Sequence, residues 1–362
     1  MLSEEQTLLR DMATAWVDAR APTGALRAAM ADGGGGAALY AEMGEMGWTG
    51  ILVPEANGGS DFGYRSIGLV IEELGRTLVP GPFVATALAG VAALRLGGDP
   101  EQQAAWLPGI AGGAVTVALG ALSSRASGGV IRARRDGNGW RLDGMIEPVA
   151  EGGAATLLIL PALVDDAAAL FLLPADSAGV ERRALVRVDG RDASRITLSD
   201  VRLDGDARLA RADADAIETI ADRVRAGLAA EMLGGARQAF DTTVDYLKTR
   251  VQFGRPIGSF QALQHRAVAM YGEIELTRAA VEAALTAIDE DAGDVPALVS
   301  LAKALAGDTF QLVAREMVQM HGGIGMTHEH DAGLYLKRAL VADASWGNAA
   351  WHRERYGRLA GY

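Results

Sequence analysis

Cysteine is missing from all 362 residues. Its absence removes disulfides, cysteine-ligated zinc, iron–sulfur clusters and thiolate nucleophiles in one step. Runs of lysine and arginine are missing too, and the net charge is −12 with a pI near 5.0. A nucleic-acid surface needs a basic excess to displace counterions from phosphate, so no nucleic-acid partner is expected, although local basic sites for a phosphorylated cofactor stay open. No uninterrupted apolar run reaches the ~20 residues of a membrane span. The opening Met1-Leu2-Ser3-Glu4-Glu5 lacks the basic-then-apolar pattern of a signal peptide, so a cytoplasmic protein is expected. No G-x-G-x-x-G follows a strand-like run, and Ser123, Ser124 and Ser127 have no G-x-S-x-G context. His328-Glu329-His330 lacks the H-E-x-x-H spacing that sets two imidazoles on one helical face, so no metal is expected.

What is present divides the chain into three segments. Residues 1–112 read as an all-helical domain. Ser3 and Gln6 have the spacing of a capping box, and Leu8, Met12 and Trp16 recur every four residues. Helical patterns return around 37–46 and 64–78, separated by a turn composition at 53–59. Residues 113–207 change character. Short runs at 115–119, 130–134, 140–142, 157–160, 170–173 and 195–198 lie between Gly, Asp and Pro, with a hairpin signal at Asp136-Gly137-Asn138-Gly139. Many strands with no helix between them predict a small barrel or sandwich. Residues 208–362 are helical again. A helix of more than 30 residues is expected from about 212, followed by helices at 260–288, 295–320 and roughly 330–351. Asp294 is the expected N-cap and Pro296 the first-turn proline of the third. Four helices, three of them long, make an antiparallel bundle.

Two segments carry chemistry. One is Arg250-Val251-Gln252-Phe253-Gly254-Arg255-Pro256-Ile257-Gly258-Ser259-Phe260-Gln261. The other is Gln319-Met320-His321-Gly322-Gly323-Ile324-Gly325-Met326-Thr327-His328-Glu329. The first is similar to the R-x-x-F-G-x-x-I-x-x-x-Q signature of acyl-CoA dehydrogenases, and the second resembles their Q-x-x-G-G-x-G-[FYM]-x-x-E signature. The resemblance covers nearly the whole chain in architecture and residues 210–345 in motif. It implies an α+β, mainly α fold: an N-terminal helical domain, a middle small β-barrel and a C-terminal four-helix bundle. It also implies FAD as cofactor, an acyl-CoA as substrate and an electron-transfer flavoprotein as acceptor.

By this resemblance Arg250, Phe253, Gln261, Gln319, Gly322 and Gly323 contact FAD held mainly by a neighbouring subunit. The residue types suit the task. Arg250 offers a planar donor fork for pyrophosphate, the glutamines can hydrogen-bond phosphate, ribose or adenine, and the glycine pair permits close backbone approach. The plain alternative is a surface ion pair at Arg250 and a simple turn at the glycines. Glu329 is the expected catalytic base, taking the α-proton of the thioester while a hydride leaves the β-carbon for flavin N5; otherwise it is a solvated glutamate favoured by a helix start. Val224, where some relatives carry their base, cannot accept a proton. Asp222 and Arg225 match a D-x-x-R motif that approaches the CoA ester, and the same spacing serves an i,i+3 ion pair.

The middle segment departs from the family pattern. Gly120–Gly128 has no T-E-P stretch, Met145-Ile146-Glu147-Pro148-Val149 puts a carboxylate where a neutral flavin-facing group is expected, and Trp346-Gly347-Asn348 stands loosely for E-G-T. This asymmetry resembles the paired, heterotetrameric acyl-CoA dehydrogenases of sterol and bile-acid side-chain breakdown. A dimer of dimers follows, either homo-oligomeric or built with a paralogous subunit. In the second case this chain is a non-catalytic subunit that completes its partner's FAD site.

Overall fold

A computed structural model describes residues 2–32, 36–121 and 128–362. The segment Ser123, Ser124 and Ser127 lies outside these residues. Contacts divide the chain into two compact units. One comprises Met1–Leu26, Tyr64–Val79 and Arg225–Tyr362, and the other Arg27–Gly63 and Pro80–Val224.

The helices before the sheet are α1 (Glu4–Arg20), α2 (Thr23–Asp32), α3 (Ala37–Glu45), α4 (Tyr64–Arg76), α5 (Val91–Gly97) and α6 (Pro100–Ala111), with a π-helical turn at Val84–Gly90 leading into α5. Ser3 caps α1 through the reciprocal bonds expected of Ser3 and Gln6, and Asp99 caps α6 in the same way with Gln102.

The sheet belongs to the second unit. Its strands are β1 (Val117–Leu119), β2 (Ile131–Asp136), β3 (Gly139–Ala150), β4 (Leu157–Val164), β5 (Ala167–Pro174), β6 (Val180–Ala184) and β7 (Ala193–Leu203), in the order β1-β4-β2-β3-β7-β6 with β5 beside β4. The expected hairpin turn joins β2 to β3, where Asp136 pairs with Gly139 and Gly137 takes a left-handed φ of 61°. Alternate residues of these strands meet in one core, centred on Trp140 edge-on to Phe171 at 5.2 Å, with Ile131, Leu142, Ile146, Leu158, Leu173 and Leu198 around them. Sequence pattern misses β6. Its Glu181-Arg182-Arg183 run is exposed on both faces, so no apolar alternation marks it.

The first unit is a bundle built on α7 (Ala214–Thr249, 36 residues), most of which it contains. The short strands β8 (Val251–Gln252) and β9 (Arg255–Pro256) form a hairpin after it. Then come α8 (Gln261–Asp289), α9 (Val295–His321), α10 (Ala332–Ala344) and α11 (Ala349–Leu359). By length and composition the stretch Val295–Met326 could cross a membrane. Its apolar side, Val299, Ala302, Ala306, Phe310, Val313 and Met317 at three- and four-residue spacing, is instead buried in the bundle.

Glycines let the helices of this unit approach backbone to backbone. A Cβ at Gly234 of α7 would overlap the Glu72 carbonyl of α4, and one at Gly75 of α4 would overlap the Glu231 carbonyl of α7. Around that crossing Arg76 reaches Glu73 at 2.7 Å and Asp18 at 2.6 Å, while Arg237 pairs with Glu72.

Two expectations for the C-terminal helices need correction. The single helix expected over 330–351 is two helices. Trp346 (φ 59°) and Gly347 (φ 99°) take left-handed conformations that end α10, and the Asn348 side chain accepts from Trp351 N–H to start α11. Asp294 precedes α9 as expected, but its side chain makes no capping bond; its carbonyl instead accepts from Ala297 and Leu298.

Candidate functional site

The signature residues gather at one end of the bundle. Tyr246, in the last turn of α7, stacks on His321 at the last residue of α9, with ring centroids 4.3 Å apart and planes 28° apart. This contact sets the C-terminal ends of α7 and α9 side by side. Arg250 follows the end of α7, Gln319 lies in the last turn of α9, and Gly322 and Gly323 leave it.

Arg250 is exposed. Its N–H donates to Tyr246 O (2.8 Å) and its carbonyl accepts from Ile257 N–H (2.8 Å), so the backbone is held while the guanidinium makes no ion pair among the described residues. Phe253 sits in the tight β8–β9 hairpin with φ 53° and is 90% exposed, its ring 6.0 Å edge-on from Phe260. Arg255 lies over the Phe260 ring at 4.1 Å. Gln261 is the exposed first residue of α8, and Gln319 is exposed on α9. Gly322 (φ 64°) and Gly323 are exposed, and neither has an atom within 4 Å of where a Cβ would stand, so their backbone is open to close approach.

Glu329 is exposed on the bend between the 3₁₀ turn Gly322–Met326 and α10. Next to it, His330 packs against His321 with ring centroids 4.3 Å apart, and its Nδ1 accepts from Ala332 N–H at 3.1 Å. Burial and the nearby His330 ring lower the affinity of His321 for a proton, although its Nδ1–H donates to Met317 O at 2.7 Å.

Asp222 and Arg225 are 2% and 6% exposed on α7. Arg225 Nε donates to Trp346 O at 3.3 Å, and its guanidinium stands 4.9 Å from the Trp351 ring. It thus reaches the α10–α11 loop. Against the end of α10 and that loop lies a feature that no sequence pattern marks. Lys303 is fully buried on α9 and donates to three carbonyls, Ala342 and Asp343 at 3.1 Å and Gly347 at 3.0 Å. Burial brings its pKa down to about 8. His352 Nε2–H donates to Trp346 O at 3.2 Å, and its pKa is pushed down to about 3 by burial and by the cations Lys303 and Arg225. The only sequence sign of this knot was a lysine inside an otherwise apolar helical stripe.

In the sheet, Glu147 forms a bidentate pair with Arg195 (2.7 and 2.9 Å), and these bonds hold its carboxyl below the ordinary range. Among the described residues no three histidines or carboxylates converge as metal ligands.

Two family models match the chain. The acyl-CoA dehydrogenase N-terminal domain covers residues 3–114, and the acyl-CoA dehydrogenase C-terminal domain covers 214–360. The chain is 33% identical over 345 residues to the acyl-CoA dehydrogenase IpdE2 of Mycobacterium tuberculosis, spanning 93% of this chain and 91% of that protein. It is similar to the ChsE4-ChsE5 complex from Mycobacterium tuberculosis, with a TM-score of 0.90 and 26% identity over 100% of this chain and 99% of the other. A Tcur3481-Tcur3483 steroid ACAD variant gives a TM-score of 0.88 and 30% identity over 99% of this chain and 98% of the other.

Proposed function

The chain belongs to the acyl-CoA dehydrogenase family, and we propose that it serves as a subunit in the FAD-dependent α,β-dehydrogenation of an acyl-CoA thioester. The carrying observation is at the end of the bundle. Arg250 presents an exposed guanidinium with no ion pair among the described residues on the turn after α7, and the Tyr246–His321 stack sets that end of α7 beside the end of α9, from which a glycine pair with open space above its backbone departs. A pyrophosphate needs those two things, a planar donor fork and room for backbone approach. The donor set fits FAD. Arg250 would hold phosphate, Gln261 and Gln319 would bond phosphate, ribose or adenine, Phe253 would pack beside the cofactor, and Gly322-Gly323 would leave it room. FAD, when bound, supplies the hydride acceptor.

Glu329 is proposed to take the α-proton. It is exposed within this chain, so the burial that raises a carboxylate toward a useful basicity must come from the acyl chain, the cofactor and a neighbouring subunit. Asp222 and Arg225 are proposed on the substrate side, with Arg225 acting through its bond to Trp346 O. Electrons would pass on to an electron-transfer flavoprotein.

A second reading is favoured by the Glu147–Arg195 pair, an ion pair where the family pattern expects a neutral flavin-facing group. In that reading the chain is the non-catalytic member of a heterotetramer and lends Arg250, Gln261 and Gln319 to its partner's FAD. Paired names in two of the similar structures, ChsE4-ChsE5 and Tcur3481-Tcur3483, support an assembly of that kind, and the second adds a steroid acyl-CoA as a candidate substrate class.

One experiment separates the readings. The chain is purified alone and with a co-expressed paralogous subunit, each with wild-type Glu329 and with Glu329→Gln. On the first reading the chain alone is yellow, and Glu329→Gln abolishes bleaching of the flavin by acyl-CoA while the flavin stays bound. A chain that is colourless alone, yellow with its partner, and bleached normally when it carries Glu329→Gln supports the second.

A further inference from the structure

The proposed cofactor-facing residues share a property. Arg250, Gln261, Gln319, Gly322, Gly323 and Glu329 are all exposed. Where they stand is therefore decided by two turns and the helix ends beside them, one turn leaving α7 and the other leaving α9. What ties the turns together is a row of three rings, Tyr246 on α7, His321 on α9 and His330 before α10, each 4.3 Å from the next.

The hydrogen bonds fix how each histidine carries its proton. A carbonyl only accepts, so His321 must hold its proton on Nδ1 to donate to Met317 O (2.7 Å). A backbone N–H only donates, so the His330 Nδ1 that receives Ala332 N–H (3.1 Å) must be bare, and a neutral His330 carries its proton on Nε2. The two imidazoles are thus held in opposite tautomers, each locked to its own helix end. The Tyr246 carbonyl in turn accepts from Arg250 N–H (2.8 Å), which joins the first ring to the arginine four residues on. His321 lies two residues from Gln319 and directly precedes Gly322, and His330 directly follows Glu329.

We propose that the Tyr246–His321–His330 ring row is a positioning device that holds the Arg250 turn and the Gln319–Glu329 turn in register for one cofactor. They are assigned as positioning residues, acting through the turns they join. The proposal rests on the reading of Arg250 as a FAD-binding group. Its distinctive consequence is coupling: removing the α7 ring disturbs a turn 76 or more residues away in sequence.

The test uses the full chain in the oligomer in which it is isolated, as wild type, Tyr246→Leu, Tyr246→Phe and Arg250→Ala. Amide hydrogen exchange is measured over residues 247–257 and 322–332, and FAD affinity by flavin fluorescence titration after the flavin is removed. Tyr246→Leu is expected to speed exchange in both segments and weaken FAD binding about tenfold, while Tyr246→Phe, which keeps the ring and loses only the 3.4 Å bond from the hydroxyl to His321 O, stays close to wild type in both. Exchange at 322–332 that is unchanged in Tyr246→Leu overturns the proposal, as does faster exchange with unaltered FAD affinity. The parent reading fails separately: Arg250→Ala would then leave FAD affinity unchanged, whatever the ring variants do. If Tyr246→Leu fails to fold, His330→Leu makes the same comparison from the other end of the row, with residues 247–257 as the remote segment: faster exchange there is expected, and unchanged exchange overturns the proposal.

Discussion

His352 is the clearest single residue at which burial overrides ordinary behaviour. It is fully buried, sits among Lys303, Arg225 and Arg355, and leaves its Nδ1 without a partner in the described structure. The folded protein keeps it neutral down to about pH 3, whereas the unfolded chain takes up a proton near pH 6.5. The unfolded state therefore binds more protons between these limits, and stability falls as pH drops through that window. In urea unfolding from pH 7 to 5, His352 is expected to account for about 2 kcal/mol of the loss. His352→Gln, which keeps a donor for Trp346 O, should lose that much less over the same interval. Because each protein is compared with itself, any baseline cost of the substitution cancels; an equal pH dependence in both proteins refutes the assignment. No pattern in the sequence marks His352, since its environment is assembled from Arg225, Lys303 and Trp346, none of them in the same helix.

Among elements, the long helices were legible and their joints were not. Three- and four-residue apolar spacing marks α7, α8 and α9 to within a few residues, although only α8 and α9 bury one side and the middle of α7, residues 220–236, is buried all round. The break between α10 and α11 was hidden because it depends on Trp346 adopting a left-handed φ, a conformation that sequence reasoning does not assign to tryptophan. The α4–α7 crossing was equally hidden. Gly234 reads as a helix weakness until Glu72 is placed against it. Gly234→Ala is expected to cost about 2 kcal/mol, as overpacking a closed contact does, despite the better helix propensity of alanine. Gly357→Ala on α11, where nothing lies within 4 Å, should gain about 0.5–1 kcal/mol from that same propensity. Chemical denaturation of both variants checks the pair, and a stabilising Gly234→Ala would show that the two helices can separate without penalty.

For the molecule as a whole, the order of helices, sheet and bundle could be read from composition and period, and two spaced signatures pointed to the family that the comparisons establish. The site was legible only as a set of residue types. Which turns stand together follows from ring contacts such as Tyr246 with His321, positions 75 residues apart that no local pattern links. The sheet was legible where one face is buried and illegible at β6, which buries neither.

The β8–β9 hairpin carries an aromatic ring into solvent, and this makes it an address for a protease. Chymotrypsin prefers to cut after large aromatic residues, and a tight exposed turn is where a folded chain is most readily nicked. Brief digestion should therefore cut the bare chain after Phe253 first. Slower cutting on addition of FAD or of a partner subunit would act as a footprint, reporting that something has come to rest on the hairpin. An unchanged digestion pattern under both additions would place their contacts elsewhere on the molecule.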